Sequence, residues 1–135
     1  MRSFIDTNVL IYADAADEPV KQRRALDLLR GHAEARTGVL STQVLQEFVN
    51  VALRKLRLPP ELVRQRLAFY RRFETIPATV DGIAAALDLT QLNSLSFYDA
   101  LVVQAASRAG CVQLLSEDLQ TGAIVAGVRI TNPFA

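Results

Sequence analysis

Short apolar runs alternate along the chain with longer segments whose apolar residues recur every three to four positions. The short runs predict strands at residues 3–5, 39–41, 74–76, 112–116 and 128–131. The longer segments have the spacing of helices that bury one face. Strands that alternate with helices are typical of an α/β fold, here with a central, mainly parallel sheet of about four or five strands.

Prolines, glycines and hydroxyl residues predict where the helices begin and end. The predicted helices span residues 20–30, 41 or 42 to about 55, 60–73, 79 or 80 to about 92, and 96 to about 109. Gly31 is expected to end the first of them, and Gly110 the last. No repeat, low-complexity tract or linker interrupts the pattern, so a single domain over residues 1–135 is expected.

Composition narrows the class of protein without naming a function. Half of the 135 residues are hydrophobic, which predicts a packed core, and the formal net charge of +1 argues against a strong field over the whole molecule. Cys111 is the only cysteine, so no internal disulfide can form and a reducing compartment fits best. Neither a membrane span nor a signal peptide is predicted, which favours a cytoplasmic protein.

Four acidic residues stand in apolar surroundings, where an unpaired charge is costly to bury. Asp6 and Asp118 follow predicted strands, Asp99 falls in the first turn of a predicted helix, and Glu47 lies in the first half of another. In a parallel α/β sheet, ligands bind outside the carboxyl ends of the strands. All four acids are therefore expected at one edge of the sheet.

Each acid also has a purely structural interpretation. Asp6 could cap a short helix, Asp118 could begin a turn, and Glu47 could lie at the margin of an apolar stripe. Ser96 and Asp99 have the spacing of a capping box. Singly, each interpretation is about as good as a functional one; their coincidence at one predicted edge favours a joint site.

A cation would offset the repulsion between four clustered carboxylates, which otherwise raises their pKa values. The nearby ligands are oxygens, with Asn8 and Ser116 beside the acids, and this set suits Mg²⁺ or Mn²⁺. Zinc is disfavoured because His32 is the only histidine and Cys111 the only thiol. A hydrated divalent ion among carboxylates indicates hydrolysis of a phosphate ester.

The motifs around these acids resemble those of PIN-domain nucleases, most closely the VapC-type toxins of bacterial toxin–antitoxin pairs. The resemblance covers essentially the whole chain and rests on the segments FIDTNVL (4–10), QEF (46–48), FYDA (97–100), LLSED (114–118) and VRITNPF (128–134). It implies a three-layer α/β/α sandwich. It also implies a cytoplasmic homodimer that cleaves RNA with Mg²⁺ or Mn²⁺ and is inhibited by a small VapB-like antitoxin protein.

The same resemblance assigns roles to individual residues. Asp6, Glu47, Asp99 and Asp118 would be the catalytic, metal-binding acids, with Asn8, Ser116 and Thr7 as supporting polar residues. Many relatives have an aspartate and a phenylalanine where this chain has Gln120 and Thr121, which weakens the case for a second tightly held metal. Glu117 is a candidate substitute, although its position predicts that it points away from Asp118.

An arginine-rich segment between residues 54 and 72 is a candidate surface for RNA or for an acidic partner. Arg54, Arg57, Arg64 and Arg71 are its candidate contacts. Phe69, Tyr70 and Phe73 are interleaved there and could stack on bases. Helical spacing favours the alternative that these aromatic residues belong to the core or to a dimer interface.

Other protein classes with acidic sites fit less well. A phosphoacceptor receiver domain needs paired acids after the first strand and a late lysine, but no lysine follows Lys55. A phosphatase with an aspartyl nucleophile favours the motif D-x-D, whereas position 8 is asparagine. An RNA-processing nuclease without an antitoxin and a catalytically silent RNA-binding or interaction module remain alternatives on the same fold.

Overall fold

The computed structural model describes all residues from 1 to 135 and contains a six-stranded sheet with six helices. The elements in chain order are β1 (Ser3–Ile5), α1 (Thr7–Tyr12), α2 (Pro19–Ala35), β2 (Gly38–Ser41), α3 (Thr42–Arg54), α4 (Pro60–Tyr70), β3 (Glu74–Ile76), α5 (Val80–Leu92), α6 (Phe97–Arg108), β4 (Gln113–Leu115), β5 (Ile124–Val125) and β6 (Val128–Thr131). The predicted α/β/α sandwich with a mainly parallel central sheet is confirmed.

The strand order places β1 at the centre of the sheet. The order is β3-β2-β1-β4-β6-β5, and every pair is parallel except the terminal β5–β6 pair. Phe4 of β1 lies opposite Val39 of β2 on one side and Leu114 of β4 on the other. The chain leaves β1 in one direction along the sheet and returns on its other side, so β1 and β4 form the topological switch point at which α/β proteins bind ligands.

Local sequence explains where the helices begin. The hydroxyls of Ser41, Thr79 and Ser96 accept hydrogen bonds from backbone N–H groups in the first turns of α3, α5 and α6. Pro19 and Pro60 occupy the first positions of α2 and α4, where no N–H is needed. Because β2 runs directly into α3, the amino end of α3 lies at the carboxyl edge of the sheet.

The core lies between the sheet and its helices. Phe4, Leu40 and Leu114 of the central strands are fully buried, as are Phe48 of α3 and Val103 of α6. Helix α6 packs against β2, β4 and β6, as its nearly continuous apolar sequence predicts. Glu47 of α3 and Asp99 of α6 are thereby carried on helices that pack against the sheet.

Several boundaries differ from the prediction. Helix α2 continues through Gly31 to Ala35 and ends where Arg36 adopts a left-handed conformation. Helix α4 ends at Tyr70 rather than Phe73. The sheet gains a sixth, two-residue strand, β5, whose hairpin to β6 requires positive φ at both Ala126 and Gly127. None of the six helices is long and apolar enough to cross a membrane.

Candidate acidic active site

Asp6 is the most buried of the four candidate acids. Asp6 is 7% exposed, and its backbone N–H donates a hydrogen bond to the carbonyl oxygen of Leu115 across the switch point. One carboxylate oxygen accepts from the N–H of Thr7 at 2.8 Å, which caps α1 as the structural interpretation predicts. The other accepts from the Ser116 hydroxyl at 2.8 Å. Asp6 is therefore both a helix cap and the centre of a polar network.

Asn8 and Ser116 connect this carboxylate to Asp118. The Asn8 amide nitrogen donates to Ser116 Oγ and to Asp118 Oδ2, both at 3.2 Å. The Asn8 amide oxygen accepts from the N–H of Glu117 at 3.2 Å, and Ser116 Oγ accepts from the N–H of Asp118 at 3.2 Å. These bonds use both N–H donors of the Asn8 amide and all the hydrogen-bonding capacity of the Ser116 hydroxyl, which fixes the orientation of both groups.

Glu47 joins the same group through Thr7. The Thr7 hydroxyl donates to one Glu47 oxygen at 2.8 Å, and the Gln43 amide donates to the other at 2.9 Å. The Gln43 amide also lies 3.5 Å from the carbonyl oxygen of Tyr98, at the amino end of α6. Gln43 was not predicted as a site residue, although its spacing of four residues from Glu47 on one helix face is a signal that could have found it.

Asp99 makes no side-chain hydrogen bond. Its N–H donates to Ser96 Oγ at 3.2 Å, which completes only one half of the capping box predicted for this pair. The Asp99 carboxylate is half-buried and lines a cavity of about 380 Å³ together with Asp118 and Gln120. Its position in the first turn of α6 suits a negative charge, because a helix dipole is positive there. Asp99 thus faces the cleft with its oxygens free.

The surroundings of Asp6 disfavour the charged form of its carboxyl group. The pKa of Asp6 is raised to about 6, mainly by burial and to a smaller extent by the negative charges of Asp118 and Glu47. The hydrogen bonds from Ser116 and Thr7 act in the opposite direction without cancelling the burial effect. A carboxylate in this condition is stabilised by a nearby cation.

The donor chemistry fits a hard divalent cation. The polar side chains of the site present carboxylate, amide and hydroxyl oxygens, whereas His32 bonds Thr37 and Cys111 is a buried core residue. No three His, Cys, Asp or Glu side chains lie close enough together to form a ready-made metal cage. Mg²⁺ does not need such a cage, because it keeps several waters and is held by one or two carboxylates.

Glu117 lies in the same loop as Asp118 but outside the cleft, so its interpretation as a substitute metal ligand is wrong. Lys21 Nζ lies 3.2 and 3.1 Å from its two carboxylate oxygens, and the Tyr12 hydroxyl donates to Oε1 at 2.9 Å. Local sequence gives no signal for this cluster, because Lys21 and Glu117 are 96 residues apart.

The arginine-rich segment divides into exposed charges and packed rings. Arg54, Arg57, Arg64 and Arg71 are exposed. Tyr70 and Phe73 are buried, and each forms an edge-to-face contact with Phe69. The core interpretation of the buried rings is therefore correct, and they are not available to stack on bases.

Distance along α3 separates Arg54 from the acids. Arg54 is the last residue of a 13-residue helix whose first turn lies at the carboxyl edge of the sheet. At 1.5 Å per residue it lies about 18 Å along the helix axis from Thr42. An RNA strand would have to extend well beyond the cleft to reach it.

The fold and the site together define a mainly parallel α/β protein with a group of acidic and polar side chains at its switch point. A model of the PIN domain family matches residues 3–124. The chain therefore belongs to the PIN domain family, as its motifs predict. Comparison with curated protein sequences gave no match.

Solved structures of toxin proteins share this fold. A toxin–antitoxin complex from Klebsiella pneumoniae is 25% identical, covers 97% of both chains and gives a TM-score of 0.67. VapBC2 from Rickettsia felis, solved with a DNA fragment from its promoter, is 20% identical over 98% of both chains, with a TM-score of 0.69. VapC20 of Mycobacterium tuberculosis, a sarcin-ricin loop cleaving toxin, is 18% identical, covers 86% of this chain and 91% of its own, and gives a TM-score of 0.68.

Proposed function

We propose that this protein is an Mg²⁺- or Mn²⁺-dependent endoribonuclease and the toxin of a VapBC-type toxin–antitoxin pair. Membership of the PIN domain family supports nuclease activity in general. The observation that carries the metal dependence is Asp6, a buried carboxylate whose pKa is raised to about 6 beside the charges of Asp118 and Glu47. A divalent cation would offset the repulsion between these carboxylates. The same cation can promote hydrolysis of a phosphodiester with little help from other protein groups.

The surroundings of the four acids suggest a different role for each in binding the metal. Asp99 and Asp118 line the open cleft and would contact a cation and its waters directly. Asp6 would hold the cation from the buried side, and Glu47 would add charge at the margin. When bound, Mg²⁺ lowers the pKa of a coordinated water and neutralises charge on phosphoryl oxygens. Hydrolysis of this kind leaves 5′-phosphate and 3′-hydroxyl ends.

The polar residues keep these acids ready for the reaction. Asn8 and Ser116 fix the spacing between Asp6 and Asp118 through bonds of 2.8 to 3.2 Å. Thr7 holds Glu47 at 2.8 Å. Because these orientations are fixed before the substrate binds, no reorganisation is needed when charge develops on the phosphate.

The toxin role and the partners rest on the relatives. Structures with this fold include VapC20 and two toxin–antitoxin complexes, which supports a VapB-like antitoxin as the partner. A homodimer is expected from the resemblance of the motifs alone. Arg54, Arg57, Arg64 and Arg71 are exposed cations that suit RNA phosphates or an acidic segment of the antitoxin. An RNA-processing PIN nuclease without an antitoxin is the second candidate, and a catalytically silent RNA-binding module the third.

Asp99→Asn tests the site. The variant should lose Mg²⁺-dependent cleavage of RNA by at least about 100-fold, because it removes a carboxylate that faces the cleft, while its circular dichroism stays that of the wild type. Asp88→Asn, at an exposed acid of α5, is the matched control and should cleave RNA at the wild-type rate. Cleavage by Asp99→Asn at the wild-type rate would refute the assignment.

Expression in cells separates the candidate functions. Induction of the chain alone should arrest growth and generate new 5′-phosphate RNA ends, and the Asp99→Asn variant should do neither. RNA cleavage without growth arrest would favour the processing nuclease. RNA binding without cleavage in any divalent metal would favour the silent module.

A further inference from the structure

We infer that Lys21 and Tyr12 are positioning residues that hold the Asp118 carboxylate in the cleft by anchoring its neighbour Glu117. The inference rests on the proposed metal-dependent function. The three side chains, here called the Glu117 anchor, come from α2, α1 and the loop after β4. None of the three lines the cavity shared by Asp99 and Asp118, and none of their side chains hydrogen-bonds a candidate acid.

The contacts of the Glu117 anchor are mutual. Lys21 Nζ lies 3.1 and 3.2 Å from the two Glu117 oxygens and donates to the Tyr12 hydroxyl at 3.2 Å. The Tyr12 hydroxyl in turn donates to Glu117 Oε1 at 2.9 Å. The Lys21 ammonium also lies 4.7 Å from the centre of the Tyr12 ring, and that ring packs edge-on against Phe134 at 4.8 Å. The side chains of Lys21 and Glu117 are 33% and 27% exposed, so the pair is partly shielded from water.

Asp118 needs an external support of this kind. It is an exposed residue in an irregular loop, and its side chain has a single hydrogen bond, the 3.2 Å contact from Asn8. The hydrogen bonds that restrain its backbone are the 3.2 Å bond to Ser116 Oγ and the bond from Glu117 N–H to Asn8, and the next residue, Leu119, is packed in the core. Anchoring the Glu117 side chain on the other side of the loop restricts the same backbone from a second direction. Groups that hold metal ligands in place commonly contribute 10- to 100-fold to metal affinity.

The sign of the effect separates positioning from simple electrostatics. Lys21 is a cation, so removing it should strengthen binding of Mn²⁺ if only its charge mattered. Freed Glu117 could also approach the cleft and strengthen binding further. Loss of positioning has the opposite effect, because Asp118 would have to be ordered when the metal binds.

The experiment is a calorimetric titration of the full chain with Mn²⁺ in the absence of RNA. Lys21→Met should weaken binding about 10-fold. Tyr12→Phe, which keeps the ring and changes no charge, should weaken it in the same direction. Lys21→Arg should restore binding to within about 3-fold of the wild type, since a guanidinium can pair with Glu117. Arg23→Met removes an equal charge from an exposed position of α2 and is the control, with unchanged affinity.

Activity provides a second readout that a loss of folded protein would not mimic. In Lys21→Met, the Mg²⁺ concentration for half-maximal RNA cleavage should rise about 10-fold, while kcat at saturating Mg²⁺ stays within about 3-fold of the wild type. A fall in kcat at unchanged Mg²⁺ dependence would overturn the inference. Unchanged or tighter Mn²⁺ binding by Lys21→Met would also overturn it.

The experiments distinguish failure of the proposed function from failure of the Glu117 anchor. If the wild type binds no Mn²⁺, the metal-dependent function is wrong, and amide hydrogen exchange of the metal-free protein then decides the anchor. Exchange at the N–H groups of Glu117 and Asp118 should be about 10-fold faster in Lys21→Met, with the rest of the sheet unchanged. Equal exchange in the two proteins would refute the anchoring itself.

Discussion

Replacing Asp6 with asparagine should make the metal-free protein more stable, and the gain should grow with pH. Asparagine is an equally good helix cap and can still accept the hydrogen bond from the N–H of Thr7. It removes the charge that burial disfavours, whose pKa is raised to about 6 in the folded protein. The variant therefore isolates the cost of the buried carboxylate.

The size of the effect follows from the two pKa values of Asp6. Below its ordinary value of 3.8 the side chain is protonated in both states and contributes nothing. Between 3.8 and about 6 the unfolded chain has released the proton and the folded chain retains it, so the free energy of unfolding falls as pH rises. Above pH 6 the side chain is ionised in both states, and the free energy of unfolding falls no further. Each unit of difference between the two pKa values corresponds to about 1.36 kcal/mol, so the total loss of stability is about 3 kcal/mol.

Urea denaturation followed by circular dichroism measures this difference. The free energy of unfolding of Asp6→Asn minus that of the wild type should increase by about 2–3 kcal/mol from pH 4 to pH 7.5, mostly below pH 6. Using the difference between two proteins removes the titration of most other groups. Any constant effect of the substitution on the bond to Ser116 also leaves the slope unchanged.

Adding Mg²⁺ completes the test. At pH 7.5 the metal should raise the Tm of the wild type and leave that of Asp6→Asn almost unchanged, because only the wild type gains by binding. A stability difference that stays constant with pH to within about 0.5 kcal/mol would refute the raised pKa of Asp6. A wild type that becomes relatively more stable with rising pH would refute the sign of the argument.

Two further substitutions test packing and pairing away from the acidic site. Gly38→Ala should lower the free energy of unfolding by about 1–3 kcal/mol in urea denaturation, because a Cβ there would lie 2.5 Å from the buried ring of Phe73, and an unchanged stability would show that the ring moves freely. Arg66→Met should cost about 1–3 kcal/mol in the same assay, since it leaves the buried Asp14 carboxylate without bonds of 2.8 to 3.0 Å. Arg64→Met, at a side chain 78% exposed, is the control for the second change, and equal losses in the two variants would contradict a specific role for the Asp14 pair.

The strand ends could be predicted because parallel sheets impose one geometry on them. Asp6 after β1 and the loop after β4 had to meet once these two strands paired, and the hydrophobic runs identified both strands. Helix caps were also visible in the sequence, as at Ser41 and Ser96, because the capping hydroxyl and its partner are only three residues apart. Such caps depend only on residues that are close in sequence, so the sequence alone is enough to predict them.

Features set by distant contacts could not be predicted in the same way. Gly31 suggested a helix end, but packing of Leu29 and Ala33 against the core carries α2 past it. A glycine inside a helix costs only about 1 kcal/mol, less than such burial returns. The interaction of Glu117 with Lys21 joins residues 96 apart and has no local signature. Strand β5 was missed because two residues do not establish a periodicity.

Aspartate is not the residue that stability alone would favour at position 6. Asparagine would cap α1 and fit the same space without a charge, so folding does not require a carboxylate at this position. Aspartate there costs about 3 kcal/mol at neutral pH, a large part of the stability of a small domain. The same buried carboxylate, beside Glu47 and Asp118, is what a divalent cation needs. A charge that opposes folding but suits a cation is better explained by metal-dependent chemistry than by structure, and the Mg²⁺ dependence of the Tm decides between them.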